Sequence, residues 1–170
     1  MTNPTKEFID FIHSLKGKKQ WAQVKAVNEF WNNRIVYQVE SKDRWETISE
    51  CLQADQVEAD CDGYACCKFQ TLLLLGFEPE LWIVQTDNGA GHLVCIIELE
   101  QRRFLRSRPK FNTWVLDNNK HDGNKLYRFE DTLYMAMMKF NRDSNSNFPQ
   151  WADFKSRMLG ETTQTENEVF

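Results

Sequence analysis

Residues 59–77, ADCDGYACCKFQTLLLLGF, decide the fold of this chain. Their apolar side chains recur at helical spacing, at Ala65, Phe69, Leu72 and Leu73. This spacing predicts a helix with one strongly apolar face. Asp60 is a typical N-cap residue, and Gly76 followed by Pro79 is a typical stop signal, so the helix is expected to begin near Cys61. The pattern therefore places a thiol at the N-terminus of a core helix.

The flanking sequence predicts helices before this element and strands after it. Amphipathic patterns predict helices at 8–15 and at 21–31, and a short third helix at 43–53. Runs rich in Val, Ile and Leu predict strands at 81–86, 92–99, 113–116 and 125–129, and two helical segments are expected at 130–140 and 149–159. Helices followed by consecutive strands with hairpin turns indicate an α+β fold with an antiparallel sheet.

The length of the chain predicts one domain. With 170 residues it can bury a core without disulfides or a structural metal. We expect this domain to cover residues 1–159, with a polar, disordered tail at 160–170.

Composition and charge exclude several classes of protein. The formal charge of −4 argues against a nucleic-acid binder, and no apolar run reaches the length of a membrane span. Residues 1–15 carry charges where a signal peptide needs an apolar stretch, and the five cysteines are odd in number, so reduced thiols in the cytoplasm are expected. If the gene came from a phage, this would be the host cytoplasm. Nothing in the composition indicates the oligomeric state.

Three residues have the chemistry of a thiol catalytic triad. Cys61 begins the core helix, His92 opens a strand after a glycine turn, and Asp117 ends the run WVLD. A thiol nucleophile requires a base and a group that orients the base, and a helix N-terminus favours the thiolate. The alternative is structural: Cys61 buried, His92 satisfied within the strand and Asp117 in a turn. His121 is a rival to His92 as the base.

Three separated segments resemble, in order, the motifs of the bacterial transglutaminase-like cysteine peptidases. Their best-known members are periplasmic proteases that cleave large biofilm adhesins. The matching residues are Asp60, Cys61, Tyr64, Ala65, Leu75, Gly76, His92, Leu116, Asp117 and Asn118. The resemblance implies a papain-like, transglutaminase-type core with Cys61 as nucleophile, His92 as general base and Asp117 as the residue that orients the base.

The resemblance also implies roles for neighbouring residues. Asp60 and Asp62 match carboxylates that help to hold Ca²⁺ in the adhesin-cleaving members, although Gly63 stands where the family commonly has an acidic residue. Trp45 and Asn118 are candidates for the substrate cleft or the oxyanion hole. The alternatives are that Asp60 only caps the helix, that Asp62 is solvated and that Trp45 belongs to the core. No cofactor is expected to be required, and Ca²⁺ is the candidate.

The expected function is a thiol hydrolase that cleaves a protein substrate through an acyl-enzyme. The same groups also support transamidation or deamidation of glutamine side chains, because the acyl acceptor decides the product. A further alternative is a binding or inhibitory module without catalytic activity on the same fold.

Overall fold

A computed structural model describes residues 4–39, 44–53, 57–101, 110–118 and 124–169. The helices in these ranges are α1 (Pro4–Leu15), α2 (Gln20–Arg34), α3 (Ile48–Cys51), α4 (Cys61–Leu74) and α5 (Pro149–Val169). The strands are β1 (Ile35–Tyr37), β2 (Val57–Ala59), β3 (Glu80–Gln85), β4 (Gly91–Gln101), β5 (Lys110–Leu116), β6 (Tyr127–Arg128) and β7 (Met135–Phe140). This arrangement is the α+β fold that the sequence predicts.

The main sheet is antiparallel and has five strands in the order β6-β5-β4-β3-β7. A separate parallel pair joins β1 to β2, with Tyr37 opposite Ala59. Because β2 ends one residue before Asp60, this pair fixes the start of α4. The β3–β4 hairpin turns at Gly89, which has a φ of +82°, and so sets the start of β4 beside His92.

Helix α4 forms the centre of the core. Twelve of its fourteen residues are buried, including polar ones, so burial extends beyond the one apolar face that the sequence predicts. It ends in a Schellman motif: Phe77 N–H bonds Leu72 O and Gly76 N–H bonds Leu73 O, both at 3.0 Å, with φ of Gly76 at +80°. The predicted cap at Asp60 and the predicted stop at Gly76 are both confirmed.

Each face of the sheet carries a different hydrophobic cluster. Leu93, Cys95 and Ile97 of β4 point into the main core beneath α4, whereas Val94 and Ile96 belong to a second cluster on the opposite face. This alternation follows from the two-residue period of a strand. No helix in the described part of the chain combines the length and the hydropathy that a transmembrane span requires.

Four predicted elements differ from the structure, and one of them, the strand at 125–129, is reduced to β6. The helix at 43–53 is reduced to α3, because a capping box between Thr47 and Glu50 starts the helix at Ile48. The helix at 130–140 is wrong: its Met, Ala and Lys residues favour a helix, but pairing with β3 makes residues 135–140 the edge strand β7. Helix α5 continues past Gly160 to Val169, and the domain boundary at 159 stays a prediction.

Candidate active site

Cys61 is the first residue of α4 and differs from the other cysteines in its exposure. Cys61 is half-buried, whereas Cys51, Cys66, Cys67 and Cys95 are buried. Burial raises the pKa of the Cys66 and Cys67 thiols well above their usual value and that of Cys95 to about 12. Cys61 is therefore the thiol placed to react, at a helix end whose free N–H groups favour negative charge.

His92 and Asp117 form a buried hydrogen-bonded pair next to Cys61. The Nε2 of His92 lies 2.9 Å from Oδ1 of Asp117, and their side chains are 15% and 7% exposed. The Cys61 side chain lies close enough to the imidazole to help raise its pKa. Since Nε2 is bonded to the carboxylate, Nδ1 is the ring nitrogen that can accept a proton from another group. The three residues of the predicted triad thus lie near one another.

The pKa values of this pair move apart. Burial lowers the pKa of His92, but the hydrogen bonds and charges of Asp117 and Cys61 outweigh burial and raise it to about 9. Burial raises the pKa of Asp117, but the hydrogen bond and charge of His92 outweigh it, and the carboxyl pKa falls below its usual value. The pair therefore favours an imidazolium beside a carboxylate.

Two polar side chains of the core hold the backbone of Asp117. Lys68 of α4 is fully buried, and its ammonium donates to the carbonyl oxygen of Asp117 at 2.9 Å. The amide of Asn32 on α2 donates to the same oxygen at 3.0 Å. Sequence reasoning missed both residues. The available signal was a polar residue on the apolar face of each helix, which indicates a buried partner.

Tyr134 is the other residue at the site that the sequence did not reveal. Its hydroxyl donates to Oδ2 of Asp117 at 2.5 Å, and its ring meets the His92 ring edge-on with 5.7 Å between centroids. The predicted helix at 130–140 obscured this contact. No local pattern marked Tyr134, because its position depends on the pairing of β7 with β3.

Trp45 and Asn118, the two candidates for the cleft or the oxyanion hole, make other contacts in the structure. Trp45 is 3% exposed and packs against Phe140, Phe148 and Phe154, which favours the core alternative over a role in the cleft. The backbone N–H of Asn118 donates to Oδ1 of Asp117 at 2.7 Å, so Asn118 helps to hold the carboxylate. His121, the rival base, lies outside the described residues.

The acidic residues around Cys61 form a compact cluster. Ligand atoms of Asp60, Cys61 and Asp62 all lie within 4.8 Å of one another. The Asp60 carboxylate accepts the N–H of Asp62 at 3.2 Å, so Asp60 caps the helix. Asp62 is 5% exposed, so the alternative of a solvated side chain is wrong. Asp62 is buried because it lies in the first turn of α4, a helix that is itself buried.

Gly63 stands where the family commonly has an acidic residue, and the structure leaves no room for a side chain there. A Cβ atom at Gly63 would lie 2.5 Å from Cβ of Ala59 and 3.0 Å from Oε2 of Glu46. The first separation is shorter than real Cβ contacts allow, and Cβ of Ala59 is fixed to the backbone of β2. A side chain at position 63 therefore requires β2 to move.

The site thus defines a class: a thiol, an imidazole and a carboxylate at the start of a core helix that packs on an antiparallel sheet. The family model for the bacterial transglutaminase-like cysteine proteinases (BTLCP) matches residues 9–158. This chain belongs to that family, as the resemblance in sequence implies, and the family is one of cysteine peptidases.

Solved structures agree with this fold. Legionella pneumophila LapG superposes with a TM-score of 0.69 at 19% identity, covering 93% of this chain and 91% of that chain. Its calcium-bound structure gives 0.69 at 20% identity over 93% and 92%, and its EGTA-treated structure gives 0.70 at 18% over 93% and 91%. No curated protein sequence matches this chain.

Proposed function

We propose that this chain cleaves a peptide bond in a protein substrate through a Cys61–His92–Asp117 triad. The observation that carries the proposal is the hydrogen bond between Nε2 of His92 and Oδ1 of Asp117 at 2.9 Å, beside the half-buried Cys61 thiol at the start of α4. Membership of a cysteine peptidase family supports a protein substrate. The presence of a thiol, an imidazole and a carboxylate at one site argues against a module that only binds.

The geometry supports a two-step acyl transfer. Cys61 Sγ attacks the scissile carbonyl carbon after its proton has passed to His92, and a C–S bond forms as the carbonyl becomes an oxyanion. The backbone N–H of Cys61 lies at the helix N-terminus, where N–H groups lack intrahelical partners, and can donate to that oxyanion. The imidazolium then protonates the leaving amine as the C–N bond breaks.

Deacylation uses the same groups in reverse. His92 takes a proton from water, the resulting hydroxide attacks the thioester carbon, and the thiolate leaves. Asp117 holds the imidazole in the tautomer that this cycle needs and stabilises its charged form. If an amine replaced water, the product would be a cross-link, so hydrolysis is proposed on the basis of the family.

We further propose that Asp60 and Asp62 hold a calcium ion. Both offer carboxylate oxygens, the ligands that calcium prefers, in the acidic cluster around Cys61. When bound, the ion would offset two negative charges beside the thiol and favour the thiolate. A calcium-bound structure among the fold neighbours supports the proposal.

The triad is tested by the alkylation rate of each cysteine. We would treat the folded protein with iodoacetamide at pH 7 and quantify every thiol by mass spectrometry. Cys61 should react at least tenfold faster than the four buried cysteines, and His92→Ala should slow it at least tenfold. A Cys61 that reacts like an ordinary thiol in both proteins would contradict the triad.

Calcium is tested without reference to activity. Thermal unfolding in CaCl₂ should give a higher Tm than in EGTA, and Asp62→Asn should abolish the difference. MgCl₂ is the control for ionic strength and for divalent charge. An identical Tm in CaCl₂ and EGTA would remove calcium from the proposal and leave the triad unaffected.

A further inference from the structure

Tyr134 touches two members of the triad at once. Its hydroxyl donates to Oδ2 of Asp117 at 2.5 Å, and its ring lies edge-on to His92 at an interplanar angle of 68°. The residue is half-buried, and the carboxylate that its hydroxyl contacts is buried.

The two oxygens of Asp117 are held by different donors. Oδ1 accepts from Nε2 of His92 and from the backbone N–H of Asn118, whereas Oδ2 accepts from Tyr134. The torsion that turns an aspartate carboxylate is soft, with a broad distribution. Donors on both oxygens fix the plane of the carboxylate and therefore the direction in which Oδ1 meets the imidazole.

The sheet places Tyr134 for this contact. Gln85 of β3 is paired with Gly91 of β4 on one side and with Met135 of β7 on the other. Tyr134 immediately precedes Met135 and His92 immediately follows Gly91, so both rings leave the sheet at the same end. A register shift of β7 would carry the tyrosine away from His92.

We propose that Tyr134 is a positioning residue, which fixes Asp117 through its hydroxyl and His92 through its ring so that the imidazole faces Cys61. The inference rests on the proposed function, because it assigns a role within the same triad. Tyr134 contacts no reacting atom in this scheme. It acts through the orientation of the general base.

The test is Tyr134→Phe, which keeps the ring and removes the hydroxyl. Its matched control is Tyr127→Phe, a half-buried tyrosine of β6 that packs on the same second cluster. We expect Tyr134→Phe to lower the alkylation rate of Cys61 at pH 7 about tenfold, since small errors in orientation are costly for a reactive pair. Tyr127→Phe should react like the wild type.

A second readout separates positioning from a structural role. The Nε2–H proton of His92, bonded to a carboxylate, should give a downfield NMR signal in the wild type and in Tyr127→Phe. In Tyr134→Phe this signal should move upfield or broaden while circular dichroism shows an unchanged fold. A wild-type rate together with a wild-type signal would overturn the inference, and so would changes in both that appear only with loss of the fold.

The two proposals can fail separately. If Cys61 of the wild type reacts like an ordinary thiol, the proposed catalysis fails, whereas the His92 signal still tests the positioning of the imidazole. If Cys61 of the wild type is fast and Tyr134→Phe is equally fast with an unchanged signal, only the role of Tyr134 is lost.

Discussion

Replacing Asp117 by asparagine is expected to return His92 to the behaviour of an ordinary or depressed histidine. Burial lowers the pKa of His92, but hydrogen bonds and charges from Asp117 and Cys61 raise it from 6.5 to about 9. At about 1.4 kcal/mol per pKa unit, this rise corresponds to about 3 kcal/mol in favour of the imidazolium. Asparagine keeps the shape but removes the charge, while burial still opposes protonation. The pKa of His92 should therefore fall toward or below 6.5 in Asp117→Asn.

The difference between the pKa of His92 in the folded and the unfolded protein also predicts how stability depends on pH. The folded-state pKa of His92 lies above its unfolded value of 6.5, so the contribution is complete below pH 6.5 and is lost as the pH rises through about 9. Between pH 6 and pH 9.5 the wild type should lose up to about 3 kcal/mol of unfolding free energy from this group. Asp117→Asn should lose much less over the same interval.

Two measurements check this prediction. Proton NMR titration of the imidazole Cε1–H signals gives the midpoints of the three histidines, and His92→Gln identifies the signal of His92. Urea unfolding at the two pH values gives the free energies. Asp153→Asn is the control, because it removes an exposed carboxylate that is bonded to Arg157 and should leave the titration unchanged. A wild-type midpoint near 6.5, or equal midpoints in the wild type and Asp117→Asn, would refute the reasoning.

Three further substitutions test the surroundings of the site. Lys68→Met removes the buried donor to the carbonyl of Asp117 and should lower the free energy of unfolding in urea by about 1–3 kcal/mol. It should also slow the alkylation of Cys61. An unchanged alkylation rate would contradict the role of Lys68 in holding the site. Arg157→Ala removes hydrogen bonds to Glu50 at 2.7 Å and to the carbonyl of Trp45 at 2.9 Å. It should lower the free energy of unfolding by about 1–2 kcal/mol, and a Tm equal to that of the wild type would contradict this expectation. Trp45→Phe should cost about 1–2 kcal/mol and leave the alkylation rate unchanged, whereas a slower rate would return Trp45 to the cleft.

The start and the end of the core helix could be predicted because they depend on local signals. The Asp60 cap, the Gly76 stop and the apolar spacing between them are local in sequence, and the structure has each of them where the sequence predicts it. The triad could be named by residue type and by resemblance. Its assembly could not, because the hairpin that brings His92 to Asp117 is a long-range pairing.

The errors have a common physical cause. Residues 135–140 are good helix formers by composition, but the edge of β3 offers backbone partners that decide their conformation. That pairing also places Tyr134, so one misread element concealed one residue of the site. Lys68 was missed for the same reason, since the partner of a buried lysine depends on tertiary structure.

The contact between Gly63 and Ala59 has a consequence for how sequences of this family can change. A single replacement of Gly63 by an acidic residue meets Cβ of Ala59 at 2.5 Å and a carboxylate oxygen of Glu46 at 3.0 Å. Glycine at position 59 removes the first of these two obstacles. The two positions are therefore epistatic: a side chain at position 63 is strained against alanine at position 59 and less strained against glycine, so the order of the two substitutions matters.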